Sequence, residues 1–155
     1  MFPLIKNLSA VGTLDAKIHN NFKFQEYKGV ITFFFDGSSI GGIYLISEDK
    51  LSETTWNEIS LVFSQNIQEG RYELPNDKMF PIPLHFQEIW IDETGEKHGI
   101  NYITDKNVGH VDVEQFDIEK GIFKASFNFT ILDQGNRHQT IGNIDVTGWS
   151  DVNRK

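Results

Sequence analysis

His110, Asp112 and Glu114 stand two residues apart in turn, and in an extended chain that spacing puts an imidazole and two carboxylates on one face. Such a face has the donors for a divalent metal, or for proton transfer by a histidine beside an acid. Val111 and Val113 point the other way, so the simpler reading of the pattern is a strand that buries its valines and solvates its polar side. An enzyme using His110 with Asp112 or Glu114 therefore ranks last among the functional readings. No nucleophile elbow, phosphate-cradling glycine loop or zinc-protease helix motif adds to it, and the five histidines, at 19, 85, 98, 110 and 138, fall in different segments. The absence of cysteine excludes disulfides, thiolate metal sites and a cysteine nucleophile. No catalytic residue, metal or cofactor is expected.

Two other groupings suit binding better than catalysis. Glu88, Asp92, Glu93 and Glu96 surround Trp90, an aromatic anchor with an acidic rim of the kind that meets a cationic partner. Trp56, Tyr72, Phe80 and Trp149 are candidates for the lining of a ligand mouth, although core packing accounts for most aromatic side chains. Fourteen basic against twenty-two acidic residues give a net charge of −8. That field repels nucleic acid and anionic membrane and attracts a basic protein.

Positioning these residues falls to strands. Leu14, Ala16 and Ile18, then Asn20-Asn21, then Phe22 and Phe24, read as a hairpin. Val30–Phe35 and Ile43–Ile46 are apolar on both faces, which requires cover on both sides, from this chain or from a second copy. Ile59, Leu61 and Phe63 alternate, with Trp56 out of parity, and the acidic stretch from Glu48 to Glu53 suggests a short helical turn. Arg71–Leu74 is a short strand stopped at Pro75, followed by a proline-rich loop. Leu84–Ile91 and His98–Ile103 flank a turn. Val111 and Val113 give way to Phe116 and Ile118 with a change of parity that predicts a bulge near Gln115. Phe123, Ala125, Phe127, Phe129 and Ile131 make the clearest strand, and Gln139–Trp149 returns from it. Leu4, Ile5, Leu8 and Val11 are spaced as a short helical turn. The expectation is one all-β domain over residues 1–155: an antiparallel up-and-down barrel, favoured over a two-sheet sandwich, of nine to ten strands. Residues 1–12 form a cover segment and 151–155 a frayed tail.

The order Gly70-Arg71-Tyr72-Glu73-Leu74, Gly109-His110-Val111-Asp112-Val113, Gly121-Ile122-Phe123-Lys124-Ala125-Ser126-Phe127 and Ile141-Gly142-Asn143-Ile144 resembles small β domains of unassigned function found in bacterial lipoproteins. The likeness covers the C-terminal half and implies an antiparallel barrel or sandwich, with no catalytic residues. This chain has neither a lipoprotein signal nor a cysteine to lipidate, so the cytoplasm is the expected location.

The first-ranked function is a non-enzymatic protein-binding module, such as an immunity or inhibitor protein neutralising a basic bacterial toxin, with Glu88, Trp90, Asp92, Glu93 and Glu96 as its contact. A barrel holding a small apolar ligand is the alternative, argued from thirteen phenylalanines.

Overall fold

Alternation of period two becomes alternation of burial along nearly every strand. Leu14, Ala16 and Ile18 are buried between exposed Asp15 and Lys17, and Phe123, Ala125, Phe127, Phe129 and Ile131 are all at most 2% exposed. The computed structural model describes residues 10–74 and 78–150, apart from the side chains at 83 and 106–108. Within them the strands are β1 (Val11–Ile18), β2 (Glu26–Gly37), β3 (Gly42–Lys50), β4 (Thr55–Phe63), β5 (Gly70–Glu73), β6 (Ile82–Ile91), β7 (Lys97–Asp117), β8 (Ile122–Asp133) and β9 (Asn136–Thr147). Every pairing is antiparallel, and neighbours in sequence are neighbours in space except that β5 stands aside and β4 pairs with β6. β9 returns to β1, with Leu14 opposite Ile144, and closes an eight-stranded up-and-down barrel. β5 adds to the edge of the second half of β7.

An eight-stranded barrel has an interior just wide enough for side chains to fill, and here aromatic rings fill it. At one end Phe63 of β4 stacks on Phe123 of β8 with centroids 4.4 Å apart, and Phe34 of β2 stacks on Trp149 at 4.5 Å. At the other end Phe22 meets Phe86 at 5.7 Å, Tyr102 at 5.2 Å and the His138 ring at 4.8 Å.

Four expectations change. Phe22 does not open the second strand: Asn20 and Asn21 turn the chain with φ of 68° and 62°, and Phe22 then folds inward as a plug, so that β2 begins only at Glu26. Glu48, Asp49 and Lys50 belong to β3 and residues 51–54 turn the chain into β4, with no helix between them. The segments around His98–Ile103 and His110–Glu114 are one strand, β7, with an irregular stretch between Thr104 and Gly109 that lets it change partners from β6 to β5. Val11 and Gly12 lie in β1 rather than in a cover segment; the rest of the expected helical turn, residues 1–9, and the tail at 151–155 fall outside the described residues. The expected bulge is present, since Val113 faces Ala125 and Gln115 faces Lys124, leaving Glu114 as the extra residue.

Because Phe63 and Phe123 meet across the axis with no room to collapse, Phe123→Ala should cost about 3–5 kcal/mol. Equilibrium urea unfolding would show this as a lower midpoint at unchanged slope.

Candidate functional site

The β6–β7 hairpin gathers all five residues of the expected acidic patch, but two of its four carboxylates are already engaged. Glu88 accepts from Lys23 Nζ at 3.1 Å and from the Tyr102 hydroxyl at 2.8 Å. Asp92 Oδ1 accepts from the Thr94 hydroxyl and from the Thr94 and Glu96 amides, while Oδ2 lies 2.7 Å from His98 Nε2. The Thr94 hydroxyl and His98 together hold Asp92 well below the usual carboxylate range. Trp90 stacks on the His98 ring at 5.5 Å, and Glu93 and Glu96 are exposed. Asp92, Glu96 and His98 each bring one potential metal-ligand atom within 4.8 Å of the others; the hydrogen bonds of a tight hairpin turn account for that closeness.

The aromatic quartet is divided. Tyr72 packs on Phe80 at 5.6 Å, Phe80 on Phe63 at 6.2 Å, and Trp149 on Phe34, all at the end of the barrel marked by Phe63 and Phe123. Trp56 sits at the opposite end of β4, on the outer wall, with Lys50 Nζ 5.0 Å and Lys97 Nζ 5.8 Å from its ring centroid. The four therefore do not line one mouth.

The polar trio of β7 faces away from the core, which Val111 and Val113 enter. Arg71 of β5 donates to both oxygens of Asp112, at 2.7 and 2.9 Å, and lowers the pKa of that carboxyl. His110 Nε2 is 3.7 Å from Asp112, and Glu114 is exposed at the bulge. A carboxylate clamped by a guanidinium is a poor base, so the trio is a strand-pairing feature of the outer wall.

What the sequence reading did not assemble is the outer wall of β2, β3, β4 and β6. Register places Phe35, Tyr44, Val62 and Ile82 in one row across the four strands, and Phe33, Ile46, Ser60 and His85 in the next. Phe33 and Phe35 stack at 5.6 Å. A hollow of 360 Å³ on this wall is lined by Tyr44, Ile46, Val62 and Ile82 together with the polar Ser60, His85 and Gln87. The third row runs Val30, Glu48, Glu58, Gln87 and Asn101, so two carboxylates face each other directly across β3 and β4. Neither forms an ion pair among the described residues. Burial, then the neighbouring Glu48, raises the pKa of Glu58 above its ordinary 4.5, with the Lys97 charge opposing them only in part. The two residues before it add to the cost: Trp56 Nε1 and both amide atoms of Asn57 are buried without a hydrogen-bond partner, an arrangement that subtracts stability. The visible trace in the sequence was the pair of strands apolar on both faces; what hid the site was that Glu48 and Glu58 meet only through register.

In comparison with known proteins, the chain matches no family model, and no curated protein or solved structure is significantly similar to it. No helix among the described residues is long and apolar enough to cross a membrane.

A raised pKa means that the fold prefers the neutral carboxyl. Its share of stability is present below the unfolded-state pKa and is lost as pH rises through the folded one. Glu58→Gln should therefore stabilise the protein by about 0.5 kcal/mol at pH 7, the size of a like-charge cross-strand pair. The gain should vanish below pH 4, where Glu58 is itself protonated; urea unfolding at the two pH values checks both statements.

Proposed function

We propose that the protein is a non-enzymatic binding module that captures a basic protein on the outer wall of β2, β3, β4 and β6, as an inhibitor or immunity protein captures a basic toxin. The observation that carries this reading is the apolar wall bordered by the Glu48–Glu58 pair. An apolar centre with a charged rim is the usual anatomy of a protein interface. A cation arriving from a partner would relieve the repulsion that the folded chain tolerates, so the wall gains more from a basic partner than from water. The net charge of −8 would steer such a partner toward it. Glu93 and Glu96, at the tip of the neighbouring hairpin, extend the acidic rim. The earlier candidates Glu88 and Asp92 contribute less, because their charges are already answered within the chain.

A barrel of this type also suits a small apolar ligand in its lumen. The rings that meet across the axis favour the outer wall instead, as do the hollows at Tyr44 and Ile82 and at Gly99, which open outward from the barrel.

The test is affinity capture from source-cell lysate with three baits: the native protein, Ile46→Arg and Glu58→Lys. The native bait should retain one basic protein in stoichiometric amount, less at moderate salt than at low. Each variant should retain at least about tenfold less, as expected when an interface centre or its charge is reversed. Equal retention by all three baits would remove the proposed wall, and a native bait carrying only a small apolar molecule would transfer the assignment to the lumen.

A further inference from the structure

β7 pairs with β6 from Lys97 to Tyr102, joins β8 only from Ile103, and meets β5 only from His110 to Val113. Among the described residues, the other edge of β7 from Lys97 to Asn101 therefore has no strand beside it. Which groups face that edge follows from the turn. The Asp92 amide donates to the Glu96 carbonyl at 2.9 Å, on the β7 side, while the Ile91 amide donates to the Thr54 carbonyl at 2.9 Å, on the β4 side. Hydrogen bonding in an antiparallel ladder alternates by residue. His98, Ile100 and Tyr102 thus bond β6, and Lys97, Gly99 and Asn101 turn their N–H and C=O groups to the open side.

Gly99 is the unexpected residue in this edge. A methyl group built there would approach nothing closer than 3.6 Å, and the backbone is not left-handed, so neither space nor conformation demands glycine. Strand interiors disfavour glycine unless something approaches closely. Gly99 lines a hollow of 310 Å³ together with Glu58, Gln87, Ile89, His98 and Lys97, and the Lys97 charge offsets only part of the burial and Glu48 repulsion that raise the Glu58 pKa. On the inner face of the same edge, Ile100 is 42% exposed.

We propose that this edge of β7 takes up an extended segment of the basic partner as an added strand, with an arginine or lysine lying over Gly99 toward Glu58 and apolar residues on either side of it facing Ile100. Strand addition satisfies the open N–H and C=O groups, and side-chain hollows at alternate positions supply specificity. The inference rests on the binding function proposed above and gives its partner a chemistry: an extended apolar-basic-apolar segment. A second copy of this chain is the poorer occupant, since it brings another charge of −8 and, with Gly99 facing Gly99, nothing to fill the hollow.

The probe is a seven-residue capped peptide, Thr-Val-Ile-Arg-Ile-Val-Thr, and its counterpart with glutamine at the centre, titrated by NMR into the whole chain. The arginine peptide should protect the amides of Lys97, Gly99 and Asn101 from exchange and bind at least about tenfold more tightly than the glutamine peptide, the size of one charge-assisted hydrogen bond. Gly99→Leu, which fills the hollow, and Glu58→Gln should each remove that preference. Asn101→Pro, which deletes an outward N–H that the fold does not use, should abolish binding; if that variant does not fold, Gly99→Leu and Glu58→Gln decide. No binding at millimolar peptide, equal binding of the two peptides, or full binding by Asn101→Pro would overturn the proposal. So would a native dimer in sedimentation that Asn101→Pro dissociates, because the occupant would then be a second copy. Ile46→Arg separates this inference from the docking wall. Peptide binding that survives Ile46→Arg while capture of the basic protein is lost supports both; capture that survives in Asn101→Pro removes only the strand addition.

Discussion

Closure of the sheet by β1 on β9 is the constraint from which the rest follows. Eight strands enclose a space that side chains must fill, and that demand consumes the inward half of each barrel strand. Phe63 against Phe123 and Phe22 against Tyr102 meet across the axis because each has nowhere else to go. The same demand explains a buried polar triangle. The Ile59 amide donates to the Tyr27 hydroxyl at 3.0 Å, that hydroxyl donates to Ser47 Oγ at 2.7 Å, and Ser47 Oγ donates to the Ile59 carbonyl at 2.8 Å. Each donor and acceptor is answered inside the triangle, so the Tyr27 and Ser47 hydroxyls enter the lumen without being orphaned. Burial keeps the Tyr27 hydroxyl protonated, its pKa pushed well above 10.0.

In the proposed reading recognition falls to the outside of the barrel, and there the chain departs from what stability alone would select. An outer wall of a barrel is ordinarily polar on the residues that alternate with the core. Tyr44, Ile46 and Val62 are apolar, and Glu48 faces Glu58 where opposite charges would be favoured. The orphaned Trp56 Nε1 and a glycine the fold does not require at 99 lie at the same end of the sheet. These are local losses concentrated on neighbouring strands, and places where local rules are broken together are expected to be functional or strained sites.

The strands were legible because burial on one face imposes a period of two, and Phe123 to Ile131 or Leu14 to Ile18 had no other way to hide their apolar side chains. The bulge at Glu114 was legible for the same reason: a change of parity can mean little else. What escaped was whatever depends on which strand lies beside which. Phe22 has the spacing of a strand residue, yet becomes a plug, because two asparagines in left-handed conformation redirect the chain before β2 begins. The acidic patch around Trp90 was correctly grouped along the chain, but Lys23, sixty-five residues away from Glu88, neutralises part of it, and no local pattern reports that.

The opposition of Glu48 and Glu58 is the sharper example. Ten residues apart in sequence, on either side of a turn, they are two unremarkable solubilising charges; the antiparallel register of β3 and β4 makes them face each other. Continued through Gln87, that register reaches Asn101 at the open edge of β7. One row of side chains therefore connects the facing acids with the part of β7, Lys97 to Asn101, whose other edge has no strand beside it among the described residues. A partner that pairs with the edge can thus answer the charge in the same contact. The two features are coupled by the pleat of a single sheet, so the binding proposed here would need no conformational change.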